Sequence, residues 1–209
     1  MSEAPYSFTL VLRGRDLSAT DLDHLREVGL DDASFGARGN EQVVLFDREA
    51  GTLANALLDA IWDLEAALPD HRVVRVEPDD LVTMARIAER TGRSRANVGQ
   101  LVAGARGSGG FPPPVSRIGG ASQIWRWSEV EEWLDHHRHD ESAVSSGAHR
   151  FIGALNGVLE SRRQFEALAK IAAAGSASVG LEFTKDTIEA LPLMLEETVR
   201  TLSRQLTVT

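Results

Sequence analysis

The chain has no cysteine, which removes disulfides, thiolate metal sites and cysteine nucleophiles together. No segment approaches the run of about 18 apolar residues that a membrane-spanning helix needs. The amino terminus, MSEAPYSFTLVLRGRD, has neither the basic start nor the long apolar stretch of a secretory leader. A soluble cytoplasmic chain with no membrane contact is expected. Catalytic signatures are missing as well. Gly104 to Gly110 is glycine-rich but lacks the lysine and the preceding strand of a phosphate loop, and there is no GxSxG elbow and no HExxH. The carboxylates fall on helix surfaces and in turns, with no motif setting a pair at catalytic distance. Neither an enzyme nor a cofactor is expected.

What is present is unevenly spread. The 209 residues carry a formal charge of −9, which argues at first against nucleic acid. Residues 1–79 hold 7 Arg and 16 acids, and residues 127–209 hold 8 basic and 13 acidic residues. Between them, residues 80–126 hold 7 Arg and only 2 acids, and they form the single net-basic block. Such a localised block is the electrostatic footprint of a nucleic-acid surface, and acidic flanks would repel stray DNA.

Inside that block, Leu81, Met84, Ala85 and Ala88 recur at the 0, 3, 4, 7 spacing of a helix face, and Val98, Leu101, Val102 and Ala105 repeat it. Gly92 can end the first helix in the left-handed conformation, and Ser94 can cap the second. Two short helices joined by a Gly-containing turn form a helix-turn-helix. With the apolar stripe inward, the second helix presents Ala96, Asn97, Gly99, Gln100 and Ala103. Asn97 and Gln100 carry amides able to pair with adenine, and an alanine methyl can pack on thymine. Arg93 and Arg95 stand at the helix start, where phosphates are favoured. Phe111 to Pro114 is a stiff extended run. Val115–Ile118 and Gln123–Trp127 then flank Gly119-Gly120 as a hairpin, and Ser128 with Glu131 reads as a capping box for a last helix through Leu134.

The order helix-turn-helix, Phe-Pro-x-Pro-Val, glycine hairpin, Trp-x-x-Ser-Glu-Val-x-x-Trp-Leu resembles the excisionase and prophage-regulator (AlpA-like) group of the MerR-like winged-helix superfamily. Ala88, Gly92, Ser94, Arg95, Val98, Phe111, Pro112, Pro114, Val115, Gly119, Gly120, Trp125, Ser128, Glu129, Trp133 and Leu134 carry the resemblance, over about a quarter of the chain. It implies sequence-selective binding of double-stranded DNA, with the second helix in the major groove and the wing on backbone or minor groove. Relatives usually have a Thr, an aromatic and an Arg where this chain has Asn97, Gly99 and Gln100, so no target sequence carries over. Arg93, Ser94, Arg95 and the wing's Arg117 are assigned to phosphates, Asn97 and Gln100 to bases, and Arg86 and Arg90, on the outer face of the first helix, to further phosphates. Ala96, Gly99 and Gln123 complete the expected surface.

The flanks read as two more modules, giving an α+β chain. Residues 1–78 alternate as β-α-β-β-α-β: strand Ser7–Arg13, a helix capped by Ser18 and Asp21, strands Ala33–Ala37 and Gln42–Asp47, helix Thr52–Leu68, strand His71–Val76. That pattern suggests a ferredoxin-like sandwich. Trp62 is expected in its core, and Arg38, Asn40 and Asp47 are its candidate ligand groups. Residues 79–140 form the winged helix-turn-helix. Residues 141–209 read as a helical hairpin, one helix from His149 to Ala174 and another from Lys185 to Leu206, suited to homodimerisation or a protein partner. His136, His137, His139 and Asp140 are expected at a solvated helix end rather than on a metal. Besides ligand-gated regulation through the first domain, two functions stay open. One is a dimeric DNA-binding regulator or recombination-accessory factor, paired through the C-terminal helices or the N-terminal domain. The other is an adaptor or sequestering protein whose winged helix and acidic ends bind a partner.

Overall fold

A computed structural model describes residues 3–107, 109–118, 122–138 and 143–173. The chain divides into two compact units, one of residues up to Pro78 together with those from Leu155 onward, the other Asp79–Ala154.

In the first unit the elements run β1 (Ala4–Arg13), α1 (Ala19–Glu27), β2 (Ala33–Arg38), β3 (Glu41–Ala50), α2 (Leu53–Ala67) and β4 (Arg72–Glu77). This is the β-α-β-β-α-β order read from the sequence. The sheet order is β2-β3-β1-β4, with every neighbouring pair antiparallel. Alternation along β1 and β3 buries Phe8, Leu10, Leu12, Val44 and Phe46, and the two phenylalanine rings stack 5.4 Å apart. Helix α2 packs on this sheet with Leu57, Ile61 and Leu64 buried. Removing a side chain of this size from water is worth about 1.5–3 kcal/mol. Trp62 is not part of that core. It lies one position round the helix from Ile61, and 41% of its surface is exposed. The α1 start carries the expected reciprocal cap, Ser18 with Asp21.

β4 is an edge strand, and side chains occupy its free edge. Asn156 accepts the Val76 N–H at 2.7 Å and donates to the Val76 carbonyl at 3.0 Å, as a paired strand would. Glu65 accepts the Val73 N–H, while Arg162 donates to the Val73 carbonyl and forks onto Glu65 at 2.7 and 3.0 Å. Asn156 and Arg162 sit on α6 (Ala143–Ala173), whose residues from Leu155 onward belong to this unit. The second helix of the expected C-terminal hairpin lies outside the described residues.

The second unit comprises β5 (Leu81–Thr83), α3 (Met84–Thr91), α4 (Arg95–Val102), β6 (Ser116–Ile118), β7 (Ser122–Arg126), α5 (Trp127–Arg138) and the beginning of α6. Its sheet has the order β5-β7-β6. Leu81 was expected on a helix face, but it pairs with Arg126 as the first residue of a strand and is 47% exposed. Thr83 caps α3 by accepting the Arg86 N–H, which starts the helix at Met84. The core gathers Val82, Ile87, Ala88, Val98, Trp125, Trp127, Val130 and Leu134. Two indole N–H groups tie the Gly/Pro segment to it: Trp125 donates to the Pro112 carbonyl and Trp133 to that of Gly109.

The expected cap of α5 by Ser128 and Glu131 is replaced. Ser128 is buried, its N–H donates to Asp80 Oδ1 at 2.7 Å, and its hydroxyl donates to Asp80 Oδ2 at 3.1 Å. Trp127 N–H adds a bond to the Asp80 carbonyl at 2.6 Å. Glu131 turns instead to His149, 3.1 Å away on α6. Asp80 is therefore the residue that anchors the start of α5, and Gly153 of α6 lies against it.

Candidate nucleic-acid interface

The turn between α3 and α4 is built as its residue types demand. Gly92 takes φ +64° and closes α3 by donating to the Ala88 and Glu89 carbonyls. Ser94 is extended and accepts the Asn97 N–H at 3.2 Å, which starts α4. Val98 and Leu101 point into the core. Ser94, Arg95, Ala96 and Gln100 are exposed, and Arg93 and Asn97 are half-buried. Arg93 reaches the Asn97 side-chain oxygen at 3.3 Å, a weak contact that occupies the acceptor half of that amide.

Three expectations for this surface change. Gly99 is half-buried, and a Cβ built on it would face Met84 of α3 at 4.0 Å, so it belongs to the helix–helix contact. Ala105, expected inward, is exposed and lies beyond the end of α4. Arg90 does not project outward. Its guanidinium lies over the Trp127 ring, 4.8 Å from the centroid, and burial holds its pKa below the ordinary arginine value. The wheel gives an angle but not a depth, and a long arginine stem can fold inward over an aromatic. Arg86 is exposed but ion-paired to Glu89 at 2.7 Å. On the wing, Gln123 is half-buried in β7 and pairs in register with Arg117 of β6; residues 119–121 at the tip lie outside the described residues.

Along the sequence no Asp or Glu occurs between Glu89 and Glu129. Among the described residues Arg95 has no ion-pair partner. Neither has Arg106, which was not singled out from the sequence although it is the basic residue of the glycine run after α4. Arg106 is exposed and, with Arg93, Leu101, Trp133 and His137, borders a hollow of about 290 Å³. Gly107 permits that packing, since a Cβ there would stand 3.2 Å from Leu101, and its φ is +81°.

Elsewhere the candidate sites disperse. Arg38 pairs with Glu41 and Glu77, Asp47 accepts the Ser7 hydroxyl at 2.6 Å, and Asn40 is exposed in the β2–β3 turn. Asp32 pairs with Arg48 at 2.6 Å. His136 and His137 each bond a backbone carbonyl one turn back in α5, and no His, Cys, Asp or Glu cluster able to hold a metal occurs among the described residues. No helix among them is long and apolar enough to cross a membrane.

A helix-turn-helix whose second helix has a bare cationic start, backed by a hairpin and a third helix, defines this unit as a winged helix-turn-helix. Residues 80–138 match the family described as prophage CP4-57 regulatory protein (AlpA), so this segment is an AlpA-like, excisionase-like module. The match covers a little over a quarter of the 209 residues. Comparison with curated proteins and with solved structures finds no match.

Proposed function

We propose that the chain is a sequence-selective DNA-binding regulator, transcriptional or recombination-accessory, that uses the MerR-like winged helix of residues 79–140. The exposed, acid-free amino end of α4 carries this reading, with Ser94, Arg95, Ala96 and Gln100 facing solvent. Arg93, Arg95 and Arg106 would neutralise phosphates, helped by the backbone N–H groups at the α4 start. Gln100 and Asn97 would read base edges in the major groove. Asn97 needs both halves of its amide for bidentate pairing with adenine. Arg93 therefore has to leave it for a phosphate, which links backbone contact to base reading. Arg117 and Gln123 of the wing would touch the neighbouring backbone, and Arg86 would add a peripheral contact. Arg90 has no part in it.

The β2-β3-β1-β4 order of the first unit supports a ferredoxin-like reading of residues 1–78. We assign it, with the C-terminal helical segment, to homodimerisation, because winged helices of this kind use paired half-sites. The protein then works in the cytoplasm as a dimer on DNA and without chemistry of its own. Selection of bound duplexes from a random library, at a stated salt concentration, tests the reading. Enrichment of one motif, in two copies at a fixed spacing, is expected. No enrichment, with no retardation of mixed duplexes even at low salt, would leave the winged helix as a protein-binding module.

A further inference from the structure

We propose that the first unit holds a binding site for a small organic phosphate, in the hollow between the end of β1, strand β4 and the α6 residues from Leu159 to Lys170. The hollow measures about 310 Å³, at the small end of the range of roughly 300–1,000 Å³ typical of ligand pockets. Buried Val73 and Leu159 give it an apolar floor, and exposed Ala167 adds to its lining. Its rim carries five cationic side chains against two carboxylates, Asp70 and Glu166. Residues 1–79, which supply half of its lining, hold 16 acids against 7 Arg.

The cations are not all committed to internal partners. Arg162 is held by Glu65 and the Val73 carbonyl, and Arg163 by Glu160 at 2.6 Å. Arg72 donates to the Pro69 and His71 carbonyls and stands 3.9 Å from Glu166, beyond hydrogen-bond range. Arg13 and Lys170 have no ion-pair partner among the described residues. The Arg13 guanidinium fork, the remaining N–H groups of Arg72 and the Lys170 ammonium suit the oxygens of a phosphate, which offers several acceptors and more than one charge. The apolar floor suits a carbon skeleton attached to it. A hollow of this size admits a small molecule and not a duplex. The site shares no residue with α4 and does not depend on the DNA-binding reading.

The test is titration of the full chain with inorganic pyrophosphate at constant ionic strength, followed by calorimetry and by backbone amide NMR. Saturable binding is expected, with the largest shifts at Arg13, Val73 and Lys170. Arg13→Ala and Lys170→Ala should each weaken it about tenfold, as loss of a charge-assisted bond does. Arg26→Ala, at an exposed arginine paired with Asp23 on α1, should leave it unchanged. The amide spectrum of each variant establishes that it is folded. Binding no tighter than that of chloride, or insensitive to both variants, overturns the proposal. So do shifts centred on Arg93, Arg95 and Arg106, or displacement of pyrophosphate from Arg13 and Lys170 by duplex DNA.

Discussion

The guanidinium of Arg90 lies over the Trp127 ring, 4.8 Å from its centroid, and one of its nitrogens is buried without a hydrogen-bond partner among the described residues. A residue placed this way supports the winged-helix core rather than a phosphate. Arg90→Ala should lower the stability of the second unit by about 1–2 kcal/mol through lost packing on the indole. Arg90→Met keeps the stem and removes the nitrogen that lacks a hydrogen-bond partner, so it should stay within about 0.5 kcal/mol of the parent. Urea denaturation followed by tryptophan fluorescence distinguishes the two. Equal destabilisation by both would show that the charge, not the stem, matters.

Two glycines of one helix should respond in opposite directions to alanine. A Cβ on Gly153 would come within 2.9 Å of Asp80 Oδ2 and 3.0 Å of Asp80 Cβ, while one on Gly157 meets nothing within 4 Å. Asp80 cannot retreat without releasing the two Ser128 bonds that start α5. Gly153→Ala should destabilise by about 1–3 kcal/mol, as overpacking does. Gly157→Ala should stabilise by about 0.5–1 kcal/mol, the usual gain inside a helix. Thermal denaturation of both variants decides, and a stabilising Gly153→Ala would contradict the close approach.

Replacing Asn156 by Leu removes both partners of Val76. Leaving that edge N–H and carbonyl without protein partners should cost about 1–3 kcal/mol. Hydrogen exchange at the Val76 amide should accelerate in Asn156→Leu more than at Val44, in the interior of the same sheet. Uniform acceleration would mean that the substitution acts on the whole unit instead.

Acid should weaken the first unit in a defined window. The Arg38 guanidinium holds Glu77 below the usual glutamate value of 4.5, and Arg75 does the same for Glu41. Arg163, with Gln164, takes Glu160 down to about 2. A carboxylate whose folded pKa is depressed stabilises fully above its unfolded value and loses that contribution as pH falls through the folded one. The melting temperature should therefore fall from about pH 4.5 toward pH 2. Arg38→Ala should make the descent shallower, and a descent parallel to the parent's would remove Glu77 and Glu41 from the account.

On DNA, Gln100→Ala should relax preference at one base position and cost about 1–3 kcal/mol, whereas Arg95→Ala should weaken all sequences alike and reduce the salt slope by about 1. Competition binding with selected and scrambled duplexes, at several salt concentrations, separates these outcomes. If both variants bind a selected site like the parent, α4 is not the reading helix.

Local features were legible in the sequence because they depend on near neighbours. The stripe of Leu57, Ile61 and Leu64, the cap of Ser18 by Asp21, and the Gly92–Ser94 turn each follow from residues a few positions apart. What stayed hidden is carried by single polar residues bonded across long separations. Asp80 meets Ser128 48 positions away, and Asn156 meets Val76 80 positions away. No periodicity announces such partners, so Ser128 resembled a local cap and Leu81 the first turn of a helix. Arg90 and Trp62 erred in opposite senses for one reason: a helical wheel fixes direction, whereas depth depends on what lies opposite.

Because an amide and a glutamate–arginine pair occupy the β4 margin of the four-stranded sheet, strand addition to it is left, among the described residues, to the margin beside β2. Two molecules joined there back to back would each cover the other's β2 margin. Growth through this four-stranded sheet would then stop at a pair instead of continuing into fibres.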